Sequence, residues 1–252
     1  MEKITSRKNR MIAEVRELGR SAEARREKGA FLCDSPKLLQ EALLCGAKIS
    51  SVFWKEGGAE PLPVFVQEQY LLPADLFEYA SPMVSSPGPL FVCAMPHELS
   101  SVVPRNAIVL ENVQDPGNVG TVIRTANALG IGAVLLVGAC ADLYHPKTVR
   151  ATMGAIFRQR VEKHTVASLH RLLSAWEMPL AGALLSERAE NILQTDLTCC
   201  ACAVGSEGSG LSRELIDLCS REVIIPMQPE SESLNAAVAA SIIMWEMRGR
   251  AI

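Results

Sequence analysis

The chain reads as an α/β protein, with a mostly parallel sheet covered by helices in its C-terminal half and a smaller α/β domain before it. Three observations predict this. From residue 107 onward, short apolar runs alternate with stretches of helical periodicity, the rhythm of a parallel sheet with helical crossovers. A weaker version of the same rhythm occupies the first 84 residues. Between them, residues 81–96 hold four prolines, a glycine and three serines around the apolar run Leu90 to Ala94, which predicts a last strand followed by a link. The expected domains are therefore 1–96 and 104–252.

Residues 9–27 place Met11, Ile12, Val15, Leu18 and Ala22 at three- and four-residue spacing, which predicts one helix. Ala30 to Cys33 is a short strand. Ser35-Pro36 then opens a helix through Leu44, with serine as cap and proline in the first turn. Ile49 to Trp54 is the next strand. In the second half the expected strands are Ala107 to Leu110, Ala133 to Val137, Leu180 to Leu184, Cys200 to Val204 and Val223 to Ile225. The expected helices are Asn118 to Leu129, Lys147 to Ile156, Ala167 to Trp176, Ser212 to Cys219 and Asn235 to Met247.

Composition narrows the function classes. With 252 residues, 48% hydrophobic and 21% charged, the chain has ample material for a core. No apolar run approaches the roughly 20 residues of a membrane span, and no apolar stretch near residue 1 resembles a secretory signal. The arginine-rich start also carries five glutamates within 30 residues, unlike an organelle transit peptide, so the expected location is the cytoplasm. Eight cysteines, several in apolar runs, read as small buried hydrophobes in a reducing compartment. The four histidines are scattered, and no metal is expected. Net charge is −3, yet residues 1–30 hold nine Lys or Arg against five Glu. That stretch is a candidate for phosphate contact; it also fits a solvated helix face with paired charges.

Three segments combine a strand, a polar Gly- or Pro-rich loop and a helix. In an open parallel sheet ligands bind beyond the carboxyl ends of the strands, so these segments are the candidate site. In the first, Asp115-Pro116-Gly117 makes a tight turn, Asn118 is expected to cap a helix, and Arg124 follows six residues later. An arginine on a helix is ordinarily a surface charge. Flanked by Val122, Ile123 and Ala126, this one also fits a cleft in which it meets phosphate or carboxylate. The second segment, Gly205-Ser206-Glu207-Gly208-Ser209-Gly210-Leu211-Ser212, lets backbone approach a ligand closely. It is neither a dinucleotide fingerprint nor a phosphate loop, and Glu207 would repel an anion. The third runs Ile225-Pro226-Met227 to Ser233-Leu234-Asn235 and into a helix apolar nearly all round, which suits burial or a dimer interface.

In order and spacing these segments resemble the motifs of the SpoU/TrmH family of RNA ribose 2'-O-methyltransferases, in the SPOUT superfamily. The likeness covers residues 105–250 and includes Arg150, Ala151 and Gly154 within Pro146 to Ala155. The stretches Ile4 to Asn9 and Phe31 to Lys37 resemble the L30e/L7Ae-like substrate-binding domain that often precedes this catalytic domain, although Asp34-Ser35 replaces a Glu-Gly pair.

The resemblance implies a trefoil knot in the C-terminal domain, a homodimer, an RNA substrate and S-adenosylmethionine as cofactor. It implies cofactor contacts at Gly205, Ser206, Ile225, Met227 and Leu234, and a catalytic set of Asn118, Arg124, Glu207, Ser233 and Asn235. The family's counterpart of Arg124 is proposed as a base. Arginine stays protonated in proteins, so the role expected here is to bind phosphate and orient the hydroxyl. The N-terminal domain points to ribosomal RNA. The alternatives are a tRNA substrate, or an RNA-binding assembly factor that does not catalyse.

Overall fold

Residues 1–58, 61–96, 102–228 and 233–249 are described by the computed structural model. They divide into two units: Met1–Glu98 with Asp142–Phe157, and Leu99–Ala141 with Arg158–Ile252.

The first unit contains β1 (Glu2–Lys3), α1 (Arg10–Arg20), α2 (Ala22–Lys28), β2 (Ala30–Asp34), α3 (Pro36–Leu44), β3 (Ile49–Lys55), β4 (Glu68–Leu72), α4 (Ala74–Ala80) and β5 (Leu90–Ala94). Its sheet has the order β1-β4-β3-β5-β2, with β5 antiparallel to both neighbours and the other pairs parallel. Strand alternation builds two cores. Phe53 and Leu32 face one with Ile12, Val15 and Leu18 of α1. Val52, Trp54, Phe31 and Cys33 face the other with Leu38 and Leu39 of α3, as the two-residue period of a strand requires. The single helix expected over 9–27 breaks at Ser21. There the serine side chain accepts from Ala24 N at 3.1 Å and starts α2, a local bond that competes with helix continuation.

The segment 142–157 belongs to this first unit, whereas chain order alone suggests a second domain uninterrupted from residue 104. Its helix α6 (Pro146–Ala151) is shorter than expected and is followed by a 3-10 turn, Ala155–Phe157. Between them Met153 and Gly154 take φ of 50° and 97°, a left-handed stretch that ends an α-helix.

The second unit contains β6 (Ala107–Glu111), α5 (Pro116–Leu129), β7 (Ala133–Val137), β8 (Val161–His164), α7 (Val166–Ala175), β9 (Leu180–Ala183), β10 (Glu190–Asn191), β11 (Ala201–Val204), α8 (Arg213–Ile216), β12 (Arg221–Ile224) and α9 (Ala236–Met247). Seven strands form one sheet in the order β10-β12-β9-β11-β6-β7-β8, and every pairing is parallel. Val109, Leu135 and Ala203 meet α7 and α8 through Leu169, Leu173 and Leu215. The alternate residues Ile108, Val134 and Cys202 are equally buried, and α5 and α9 pack on each other and on β7 and β11. The two short polar strands β8 and β10, at the sheet edges, were not legible in the sequence. Edge strands need little apolar surface and often carry charge.

All eight cysteines are free thiols. Cys199 and Cys202 stand three apart in Cys-Cys-Ala-Cys, but Cys199 is exposed while Cys202 is buried in β11. No cluster of metal-binding residues occurs among the described residues, and none of their helices is long and apolar enough to cross a membrane.

Candidate active site

The carboxyl ends of β6, β11 and β12 bring the three loops together. After β6, Asn112 adopts φ of 55°, and its Oδ1 accepts from Ala139 N at 2.8 Å. This closes the adjacent turn at Gly138, where a Cβ would lie 2.4 Å from that oxygen. Asp115, not Asn118, caps α5. Asp115 Oδ1 accepts from Asn118 N at 2.8 Å and Pro116 opens the helix. The expected capping role therefore passes to Asp115, and the Asn118 side chain is released for another contact.

The second loop folds back on itself. Gly210 N donates to Ser206 O at 2.9 Å, and the Ser206 and Ser209 hydroxyls lie 2.7 Å apart. Gly205 is enclosed by this turn. A Cβ there would sit 2.1 Å from the carbonyl carbon of Gly210. Ser212 caps α8 through Leu215 N at 3.2 Å. It also donates from its backbone N and its hydroxyl to Glu111 at 2.7 and 2.6 Å. Glu111 is buried at the end of β6, so this contact pins the second loop to the first.

Asn235 caps α9, its Oδ1 accepting from Ala237 N at 3.0 Å and Val238 N at 3.3 Å. Its Nδ2 then points back, donating to Glu207 Oε1 at 2.6 Å and Asn118 Oδ1 at 3.1 Å. Asn118 Nδ2 donates to the same Glu207 oxygen at 3.0 Å, as does Ala236 N. One carboxylate oxygen thus gathers three donors from two helix starts. Bonds to a charged acceptor are roughly twice as strong as neutral ones.

Two cavities flank this knot of bonds and share Ser206, Glu207 and Ala236 as a wall. One, of about 370 Å³, is mostly apolar and is lined by Gly205, Ile225, Met227, Ser233 and Leu234 among others. The other, of about 530 Å³, is polar, with Asn112, Gln114, Asp115, Asn118 and Ser209 in its lining.

Residues 105–245 match the SpoU rRNA Methylase family. The chain belongs to that family. Across 99% of this chain and the whole of the relative, it is 31% identical to the 23S rRNA (guanosine(2553)-2'-O)-methyltransferase RlmP of Bacillus subtilis (strain 168). A solved RNA 2'-O ribose methyltransferase superposes with a TM-score of 0.82, at 26% identity over 97% of both chains. The SpoU methyltransferase AviRb from Streptomyces viridochromogenes, in complex with the cofactor AdoMet, superposes at 0.82 with 25% identity, over 95% of this chain and 98% of that one.

Within this SpoU member the sequence-expected residues divide into two groups. Asn118, Glu207 and Asn235 form one hydrogen-bonded cluster, while Gly205, Ser206, Ile225, Met227, Ser233 and Leu234 line the apolar cavity. Arg124 joins neither group. It is exposed, lines neither cavity and has no polar partner among the described residues. Helix geometry explains this, because six residues from Asn118 amount to about 120° around α5 and about 9 Å along it. Sequence reasoning missed Ala183, Leu184 and Leu185 in the apolar cavity. They end and follow β9 with no polar signal of their own, and only the order β12-β9-β11 brings them alongside. Glu111 was missed too, since a glutamate ending a strand carries no mark of the serine it will bind. The loop proline Pro229 lies outside the described residues.

Proposed function

We propose that this chain methylates a ribose 2'-hydroxyl of RNA, with S-adenosylmethionine as methyl donor and ribosomal RNA as substrate. The observation that carries the reading is the pair of cavities, one apolar and one polar, divided by Ser206, Glu207 and Ala236. Two different reactants, an amphipathic nucleoside and a polar ribonucleotide, can meet across such a wall. The names of the relatives point to the same chemistry.

The residues present fit the cofactor. A cavity of this size is ordinary for a small molecule, and Gly205 in its lining lets the loop fold tightly against Gly210 and Leu211, where a side chain would not fit. Gly205, Ser206, Ile225, Met227 and Leu234 would hold it. When bound, S-adenosylmethionine supplies a methyl group activated for displacement by its sulfonium charge. The remaining work falls to the chain: to place the ribose hydroxyl and to manage its proton. Glu207 and Asn235 fix Asn118 at the shared wall, where the remaining donor and acceptor of the Asn118 amide and the Ser233 hydroxyl can bind the ribose, while Asn235 holds the helix entry. Positioning of this kind supplies much of an enzyme's rate. Arg124, always protonated, binds the substrate phosphate and orients the hydroxyl.

The exposed place of Arg124 leads us to read the working form as a homodimer in which a second copy completes the site. Val238 and Trp245 of the apolar helix α9 are 47% and 54% exposed, which supports burial against such a copy. A knotted second unit, an L30e-like RNA-binding first unit and a cytoplasmic setting complete the proposal.

The test is transfer of labelled methyl from S-adenosylmethionine to 23S rRNA fragments, with the product mapped by resistance to alkaline cleavage. Arg124→Ala should lower turnover by at least about 100-fold and leave cofactor affinity near wild type. Loss of cofactor affinity in that variant would instead give Arg124 a part in holding the cofactor. Transfer to tRNA alone would redirect the substrate, and absence of cofactor binding by the native chain would favour an assembly factor.

A further inference from the structure

At about 100° per residue, Arg16 and Arg20 fall on one flank of α1, and Glu14 and Glu17 fall on the other with Arg10 between them. The acidic flank is satisfied, with Lys28 Nζ 3.0 Å from Glu17 and 3.9 Å from Glu14. On the arginine flank, neither Arg16 nor Arg20 has a carboxylate within ion-pair distance among the described residues.

Tyr79, near the end of α4, organises that flank. The guanidinium carbon of Arg16 lies 3.7 Å from the ring centroid, and that of Arg7 4.6 Å. Arg16 Nη1 also donates to the Tyr79 carbonyl, one of the acceptors a helix end leaves unsatisfied. Stacking on a ring fixes the guanidinium plane while its edge N–H groups stay free for a planar acceptor. Arg7 has one distant acid, Asp75 at 4.0 Å, and both side chains are largely exposed. Beside the ring, Arg16, Gly19, Arg20 and the turn Ala80–Pro82 enclose a hollow of about 170 Å³. Gly19 allows the close approach, since a Cβ there would lie 3.1 Å from Pro82 Cβ. The hollow is below the roughly 300 Å³ of a small-molecule site and suits a single phosphate group.

We infer that the face formed by Arg7, Arg16, Arg20 and Tyr79, in the first unit, grips the phosphodiester backbone of the substrate RNA. The inference rests on the RNA-methyltransferase reading above. It explains how a chain of net charge −3 handles a polyanion. Nine cations against five acids fall in the first 30 residues, and two of them, Arg16 and Arg20, share one flank of α1 with no carboxylate at ion-pair distance among the described residues. Local positive potential of this kind governs both affinity and approach.

The experiment compares the full-length native chain with Arg7→Gln/Arg20→Gln. Both side chains are exposed, and Arg16 stays because its bond to Tyr79 is structural. Binding to a 23S rRNA fragment is measured across salt concentrations, with steady-state methylation of the same fragment. The double variant should raise KM for RNA on the order of tenfold and reduce the salt slope by about 1.5 to 2. Turnover at saturating RNA and cofactor affinity should stay unchanged. Arg171→Gln/Arg188→Gln alters net charge equally and should leave KM and slope near wild type. Unchanged KM and slope in the Arg7/Arg20 variant, or equal effects in the control, would overturn the inference. So would a loss confined to binding of a polyglutamate peptide, which would assign the face to an acidic protein. If the native chain binds RNA through this face yet transfers no methyl to it, the RNA-methyltransferase reading fails and the docking face stands.

Discussion

Gly205→Ala is the sharpest probe of the apolar cavity. The added Cβ would lie 2.1 Å from Gly210 C, 2.2 Å from Gly210 O and 2.5 Å from Leu211 N, against 3.4–4 Å for ordinary contact. All three atoms are backbone, so no rotamer change relieves the clash, and the two arms of the loop must part by more than about 1 Å. Overpacking of this kind costs about 1–3 kcal/mol. The Gly210 N to Ser206 O bond of 2.9 Å spans the same gap, and losing it adds about 1 kcal/mol. If the loop opens to accept the methyl group, that cost falls on the closed form that walls the cavity. S-adenosylmethionine affinity should then drop by roughly 30- to 1,000-fold, the equivalent of about 2–4 kcal/mol. Gly208→Ala is the internal control, three residues along the same loop with nothing within 4 Å of its added Cβ. Calorimetric titration of the cofactor against both variants, alongside a thermal melt, separates binding from folding. If Gly205→Ala binds the cofactor as Gly208→Ala does, Gly205 does not shape the cofactor pocket.

The other predictions concern the fixed polar groups. Glu207→Gln keeps an oxygen for the three donors at 2.6–3.0 Å but removes the charge. Methyl transfer should fall by about 10- to 100-fold with cofactor affinity little altered; full activity would show that the cluster only holds the loops. Ser212→Ala strips a helix cap and leaves an oxygen of buried Glu111 one donor short. A loss of about 2–3 kcal/mol corresponds to a Tm lower by about 4–12 °C for a chain of this size, and an unchanged melt would mean that water replaces the hydroxyl. Burial raises the Asp34 pKa above its ordinary 3.8, against the opposing pull of the Ser86 hydroxyl and Arg150. The folded chain therefore holds this proton to higher pH than the unfolded chain, and the stability it contributes is lost as pH rises through the folded value. Asp34→Asn should accordingly melt higher than wild type at pH 8, with the gap closing toward pH 4. A gap that is flat with pH would show that the carboxyl titrates alike in both states.

What the sequence disclosed and what it withheld follow from the range of the interactions involved. The interior strands of the parallel sheet were legible because both faces are buried, which writes a continuous apolar run such as Ala133–Val137 into the chain. Edge strands Val161–His164 and Glu190–Asn191 carry no such run. The three site loops were legible because glycine, proline and cap residues are local signals. The assignment of roles inside them was not. Asp115 and Asn118 are both good caps, and only the position of Glu207, 89 residues away, leaves Asp115 to cap and Asn118 to bind across. Arg124 makes the same point from the other side. Its spacing from Asn118 resembled a shared site, but the pitch of one helix sets the two side chains about a third of a turn apart. Motif membership and a common pocket are therefore separate properties here. If Arg124 acts on the same ribose as Asn118, α5 alone cannot bring it there, and a second copy of the chain supplies the simplest geometry that can.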